Sequence, residues 1–190
     1  METLRDSLDP AQSLSLINQS ISEGGKSGEF FLFTHDHRIL LKTITEEEVQ
    51  VYLTRINKFA EHYRQNPGSL IIKFYGLFSF ECVEFAAPKI HLLITKNITQ
   101  VGRGQLNAIY DMKGSRHNRE VLKSRLTMSL KVLKDIDFEN IEGKIHSKPA
   151  ELSKIKQALV TDSLFFKEIE LMDYSLIVAK VDLEEDVEQP

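Results

Sequence analysis

Two charged residues stand in apolar surroundings that solvation alone does not explain. Asp173 interrupts the run Leu171-Met172-Asp173-Tyr174-Ser175-Leu176-Ile177-Val178, just after a long amphipathic stretch. A carboxylate at the mouth of a buried strand is costly unless it is paired, metal-bound or poised to take a proton. A solvated aspartate on a helix C-terminal turn is the alternative reading of the same segment. Lys113 belongs to Ile109-Tyr110-Asp111-Met112-Lys113-Gly114-Ser115, which begins like a strand and ends in a loop. A cation beside a glycine backbone there suits a phosphate. A third cation, Lys42, ends the strand-like Ile39-Leu40-Leu41-Lys42. Before it come the loop Gly24-Gly25-Lys26-Ser27-Gly28, the apolar run Phe30-Phe31-Leu32-Phe33 and the polar turn Thr34-His35-Asp36-His37-Arg38. Glycines let backbone N–H groups approach phosphates, and a lysine on the next strand neutralises their charge from a fixed direction. Singly each signal is weak, because glycine turns and strand-end lysines are common.

In this order the segments resemble the phosphatidylinositol phosphate kinase family. Asp111-Met112-Lys113-Gly114-Ser115 is similar to its Asp-Leu-Lys-Gly-Ser signature, and the run from Met172 to Ile177 is similar to its Met-Asp-Tyr-Ser-Leu-Leu signature. Val132-Leu133-Lys134-Asp135-Ile136-Asp137-Phe138 resembles the strand that leads into the family's catalytic region. The resemblance runs from about Gly24 to Val178. It implies an α+β, two-lobed lipid-kinase-like fold, with an antiparallel sheet plus a helix in the N-lobe and a truncated C-lobe. The expected divisions are an N-terminal extension at 1–23, the N-lobe at 24–98, the C-lobe at 99–181 and an acidic tail at 182–190.

What the resemblance implies for the site is specific. Gly25, Ser27 and Gly28 would cover the ATP phosphates, Lys42 would contact them, and Asn97 would lie where the lobes connect and meet the adenine. Lys113 would sit by the transferred phosphate or the lipid headgroup, with Arg116 and Arg119 on the substrate side. Asp173 would be the catalytic aspartate, in the cleft between lobes and near Lys113; ATP and magnesium would be the cofactors of an active enzyme. The family's later Ile-Ile-Asp signature, which supplies a metal-binding aspartate, and the basic segment that selects the lipid have no counterpart before Pro190. Ala179-Lys180-Val181 stands where the family has glycine and histidine. These departures lead us to expect a noncatalytic structural subunit, packed against other protein chains. An active lipid kinase and a phosphoinositide or nucleotide binder are the alternatives.

Composition narrows the classes further. In 190 residues, 42% apolar content suffices for a packed core, and a net charge of −4 gives no global attraction to nucleic acid or anionic membrane. Lys113, Arg116, His117, Arg119, Lys123 and Arg125 form one local basic patch, whose spacing also suits an ordinary wet face. The single Cys82 cannot form an internal disulfide, so the chain reads as intracellular, cytoplasmic or peripheral to a membrane assembly. No apolar stretch reaches the roughly 18–20 residues that span a bilayer, and the acidic first segment is unlike a secretory signal; organelle import by another route stays open. The scattered histidines lack metal-ligand spacing.

The elements that must position the candidates follow from periodicity. Thr45-Glu46-Glu47-Glu48 matches a capping box and opens a helix over 45–64, ended by Asn66-Pro67-Gly68. Glu48 both completes that box and is the candidate partner of Lys42. Strands are expected over 70–80, 89–94, 108–112 and near Val132, with a basic loop and helix reaching to about residue 130. A helix over about 150–168 turns Leu152, Ile155, Leu159, Val160, Phe166 and Ile169 inward and delivers Asp173 to a strand over 174–178.

Overall fold

The computed structural model describes residues 4–9, 12, 30–81, 89–100, 105–121 and 132–182, and it divides into two compact units, Met1–Gln100 and Val101–Pro190. In the first unit a short helix α1 (Leu4–Ser7) precedes β1 (Phe31–Phe33), β2 (Ile39–Ile44), helix α2 (Glu46–Gln65), β3 (Phe74–Phe80) and β4 (Ile90–Lys96). The four strands form an antiparallel sheet in the order β1-β2-β4-β3. The expected α+β class holds. The run 70–80 is strand only from Phe74 onward, because Tyr63 on α2 donates to the Ile72 carbonyl at 2.7 Å and ties the preceding segment to the helix.

Helix α2 begins where the capping box requires. Thr45 Oγ1 accepts from the Glu48 N–H at 3.2 Å, and Glu48 Oε2 accepts from the Thr45 N–H at 2.8 Å. The helix covers one sheet face through Val49, which is buried with Ile44 and Leu93 and flanked by Tyr52, Phe74 and Leu77. Phe74 is the hub of the aromatic layer, meeting Phe59, Tyr52 and Tyr63 edge-on at centroid distances of 4.9, 5.5 and 5.8 Å. Full burial of Phe59 adds roughly 2–3 kcal/mol of apolar transfer energy.

The β1–β2 turn is also secured from outside itself. Asp36 Oδ1 accepts from the Thr34 hydroxyl at 2.6 Å and the Arg38 N–H at 3.1 Å, and its Oδ2 accepts from the buried Ser7 hydroxyl at 2.5 Å. Burial pushes the Asp36 carboxyl up, but these hydrogen bonds outweigh it and bring the pKa down to about 2.

The second unit holds β5 (Gln105–Met112), β6 (Val132–Leu133), helix α3 (Asp135–Ile141), helix α4 (Pro149–Glu168) and β7 (Leu176–Asp182). Its sheet runs β6-β5-β7, with β5 parallel to β6 and antiparallel to β7. The short strand expected near Val132 is β6, and within the run to Phe138 that resembles the family's strand helix α3 takes over from Asp135. Asp137 at its third position accepts from the Lys134 N–H at 3.0 Å, so an acidic first turn starts a helix there. The inward face of α4 holds as expected at Ile169, which is buried just past its end, but Val160 is 60% exposed, and Asp162 and Phe165, which were not expected inward, are buried. The helix is apolar on more than one side, so periodicity alone does not select the stripe that packs.

Candidate functional site

Helix α4 ends in a Schellman motif, with the Leu171 N–H donating to the Phe166 carbonyl at 2.9 Å and the Glu170 N–H to the Lys167 carbonyl at 3.2 Å. Glu170, at φ 54°, occupies the left-handed position that usually takes glycine. Three residues later Asp173 is left-handed too, at φ 62°. The Tyr174 ring packs tilted against Phe166, with centroids 4.5 Å apart, which holds this second bend against the helix that precedes it. The chain thus makes two left-handed bends before β7 begins at Leu176.

Asp173 is not the buried carboxylate its apolar flanks suggested: its side chain is 83% exposed, because the bend turns it away from the strand. It is paired nonetheless, and its partner is the Lys113 ammonium. The hydrogen bond from Lys113, then the lysine's charge, hold the Asp173 carboxyl below the usual aspartate range. A cavity of about 580 Å³ lined by Lys167, Glu170, Leu171, Met172, Asp173 and Tyr174 opens beside it.

Lys113 is set by its backbone. The turn after β5 places Gly114 at φ 68°, and no atom lies within 4 Å of where a Cβ would stand, so the glycine serves backbone shape and not space. Asp135 reaches back from the first turn of α3 to accept the Lys113 N–H at 3.0 Å and the Gly114 N–H at 2.8 Å. The same carboxylate accepts from Arg119 Nε at 2.7 Å. Arg119 completes its set on Asp111, bonding the carbonyl and lying 3.4 Å from the carboxylate. Burial works to raise Asp135; the Arg119 hydrogen bond and the turn N–H groups outweigh it, so the carboxyl stays low. Burial likewise opposes the charge of Arg119, and the two aspartates more than restore it.

Two of the residues expected at ligands are buried and engaged within the chain itself. Arg119 is 8% exposed, with its guanidinium held inward by Asp135 and Asp111, and it braces the turn where a substrate contact was expected. Asn97 is equally buried: its amide donates to the His37 carbonyl at 2.7 Å and its oxygen accepts from the Thr99 N–H and hydroxyl at 3.0 and 2.7 Å. It ties the end of β4 to the β1–β2 turn, so its side chain is engaged where an adenine contact was expected. Arg116 does face solvent, paired with Glu139 at 2.9 Å. In the first unit Lys42 lies 3.8 Å from Glu48 Oε1, so the helix-capping glutamate serves both of its candidate roles, one with each oxygen. Gly25, Ser27 and Gly28 lie outside the described residues, as do Cys82 and the acidic tail beyond Asp182.

The sequence reading missed Asp135 as the brace of the Lys113 turn. A signal was present, since two acidic residues in the first turn of an expected element mark a helix start.

A family model described as phosphatidylinositol-4-phosphate 5-kinase matches residues 13–190, and the chain belongs to that family. It is 29% identical over 154 residues to a probable phosphatidylinositol phosphate kinase of Dictyostelium discoideum, covering 81% of this chain and 21% of that protein. A phosphatidylinositol 4-phosphate 5-kinase of Plasmodium falciparum is 29% identical over 168 residues, 87% of this chain and 10% of its own length. Phosphatidylinositol 4-phosphate 5-kinase 4 of Arabidopsis thaliana is 30% identical over 164 residues, 84% of this chain and 20% of that one. The chain thus spans between about a tenth and a fifth of these three relatives. Among the described residues no helix is long and apolar enough to cross a membrane, and no group of three His, Cys, Asp or Glu side chains is gathered for a metal.

Proposed function

We propose that this chain carries phosphate-handling side chains of an ATP-dependent kinase that acts on phosphatidylinositol phosphates. The observation that supports this reading best is the contact between the Lys113 ammonium, on the turn after β5, and the Asp173 carboxylate, on the bend before β7. Phosphoryl transfer needs a carboxylate toward the attacking hydroxyl and a cation toward the transferred charge, and here the two are adjacent before any substrate arrives. A carboxylate held ionised by its lysine is suited to orient a hydroxyl by accepting its hydrogen bond, while the same lysine weakens it as a proton acceptor until the ammonium turns to the phosphate. Lys42, held toward Glu48, has the chemistry to neutralise the nucleotide phosphates. Magnesium would arrive with the nucleotide; no residue described above is given the task of holding it.

A second reading, a noncatalytic subunit of a larger assembly, draws support from exposed apolar residues on the second unit. Leu164 and Met172 are 61% and 86% exposed, and large apolar side chains this open to solvent suit cover by another chain. Radiolabel transfer separates the two. The purified chain with ATP, magnesium and mixed phosphoinositides should yield labelled lipid, and Asp173→Asn or Lys42→Met should abolish it. No product, together with no magnesium-dependent ATP binding, would establish the noncatalytic subunit instead.

A further inference from the structure

We infer that Asp135 is a positioning residue for Lys113: by holding the turn's N–H groups it aims the lysine ammonium at Asp173. The inference rests on the kinase reading for its functional meaning, but its geometry stands within the second unit alone.

Three observations carry it. First, the carboxylate that holds the turn is remote in sequence, 22 residues from Lys113, and sits on a different element, α3. Carboxylates that merely complete a turn usually bond N–H groups two or three residues away. Second, it takes the N–H groups of two consecutive residues, and one of these is the residue that bears the functional cation. A lysine has four rotatable stem carbons, so its reach can be narrowed only by fixing its Cα and by the partner it meets. Asp135 does the first and Asp173 the second. Third, Asp135 is itself locked, since Arg119 Nε binds its other oxygen and Arg119 is anchored in turn on Asp111, at the end of the strand that leads into the turn. The assembly closes a loop: β5 to turn, turn to Asp135, Asp135 to Arg119, Arg119 back to β5. Supporting groups of this kind hold functional side chains within the tolerance that catalysis needs, where a misplacement of about 1 Å can reduce rate about a hundredfold.

A purely structural brace would predict a different outcome, and the Asp173 carboxyl reports which is correct. Its titration can be followed by carbon NMR in the full chain without ATP or lipid, so failure of the phosphoryl-transfer assay and failure of this inference are separate results. In the wild type Asp173 should titrate below an ordinary aspartate, and Lys113→Met should return it to the ordinary range. In folded Asp135→Asn it should also move up, toward the Lys113→Met value. The sign is diagnostic. Neutralising Asp135 removes a nearby negative charge, which by itself pulls Asp173 further down, so a rise requires that a cation holding it down has left; Arg119 is the last and smallest of these, and a rise as far as the Lys113→Met value singles out the lysine. An Asp173 midpoint in folded Asp135→Asn at or below that of the wild type would overturn the inference. Should Asp135→Asn not fold, the wild type supplies a second measurement: the Lys113 and Gly114 amide protons should exchange slowly and shift together at one acidic midpoint as Asp135 protonates. Exchange at the rate of a free loop would overturn the inference equally.

Discussion

Two lysine–carboxylate pairs, Lys42–Glu48 in the first unit and Lys113–Asp173 in the second, are held by different means. Lys42 and Glu48 lie on a strand and the helix that follows it, within one junction, and the glutamate is fixed because its other oxygen caps the helix. Lys113 and Asp173 lie on turns 60 residues apart, one beside a left-handed glycine and the other left-handed itself. Local rules suffice for the first pair. The second needs a buried carboxylate, a buried guanidinium and a bent helix exit to bring it together. A pair built on regular elements should yield gradually to substitution, whereas one built on a buried ionic brace should fail when a single member of the brace is removed.

The largest test of that contrast is Arg119→Ala. It leaves Asp135 buried without its charged partner, and loss of one member of a buried pair is destabilising by about 3 kcal/mol or more. Chemical denaturation followed by probes in each unit should show the second unit losing its transition at much lower denaturant while the first keeps its own. A loss under about 1 kcal/mol would mean that Arg119 is a solvated surface cation after all, free to meet a substrate, and the contrast between the pairs would collapse.

What could be read from the sequence divides along the same line. The capping box, helix α2 and the strand carrying Lys42 were legible because each depends on residues three or four apart, where side chain and backbone meet inside one turn of chain. The long helix α4 and the motifs around Lys113 and Asp173 were legible too, the latter through resemblance. The roles of Arg119 and Asn97 were not. A buried arginine and a solvated one have the same spacing from their neighbours in sequence, and only the return of α3 beside β5 decides between them. Helix α3 was obscured by β-favouring residues at Val132 and Ile136, and its start signal outweighed them once Asp137 had the Lys134 N–H to accept. The exposure of Asp173 was hidden as well, because apolar flanks say where neighbours go and not which way a left-handed residue turns.

A smaller effect sharpens the first pair. Glu48→Ala removes the glutamate half of the capping box and the ion pair but leaves Thr45 Oγ1 on the residue-48 N–H, and about 0.5–1 kcal/mol of stability should go with them. Glu48→Gln keeps an oxygen to accept the Thr45 N–H while removing the charge that faces Lys42, a partly exposed pair whose own contribution is small. Its stability should stay within about 0.3 kcal/mol of wild type by thermal or chemical melting, while any ATP affinity that depends on Lys42 falls. Equal destabilisation by the two substitutions would mean that the ion pair, and not the cap, holds the helix start, and the two lysine sites would then be alike in construction.

The smallest effect concerns the helix exit. Glu170 adopts the left-handed conformation at the Schellman position, where a side chain costs roughly 1 kcal/mol relative to glycine. Glu170→Gly relieves that strain but gives the unfolded chain more freedom, so the net gain should be about 0.5 kcal/mol. For a unit of this size that raises the melting midpoint by roughly 2–4 °C. Asp173 shares the left-handed backbone, but its carboxylate is what Lys113 meets, so Asp173→Gly should relieve similar strain while releasing the lysine. These two glycine substitutions lie three residues apart, on two successive left-handed bends. If Glu170→Gly leaves the Lys113 resonances unmoved and Asp173→Gly shifts them, the first left-handed residue serves the path of the chain and the second serves its chemistry. If Glu170→Gly displaces Lys113 as far as Asp173→Gly does, the two bends act as one unit, and the Schellman exit of α4 belongs to the positioning apparatus of the second pair.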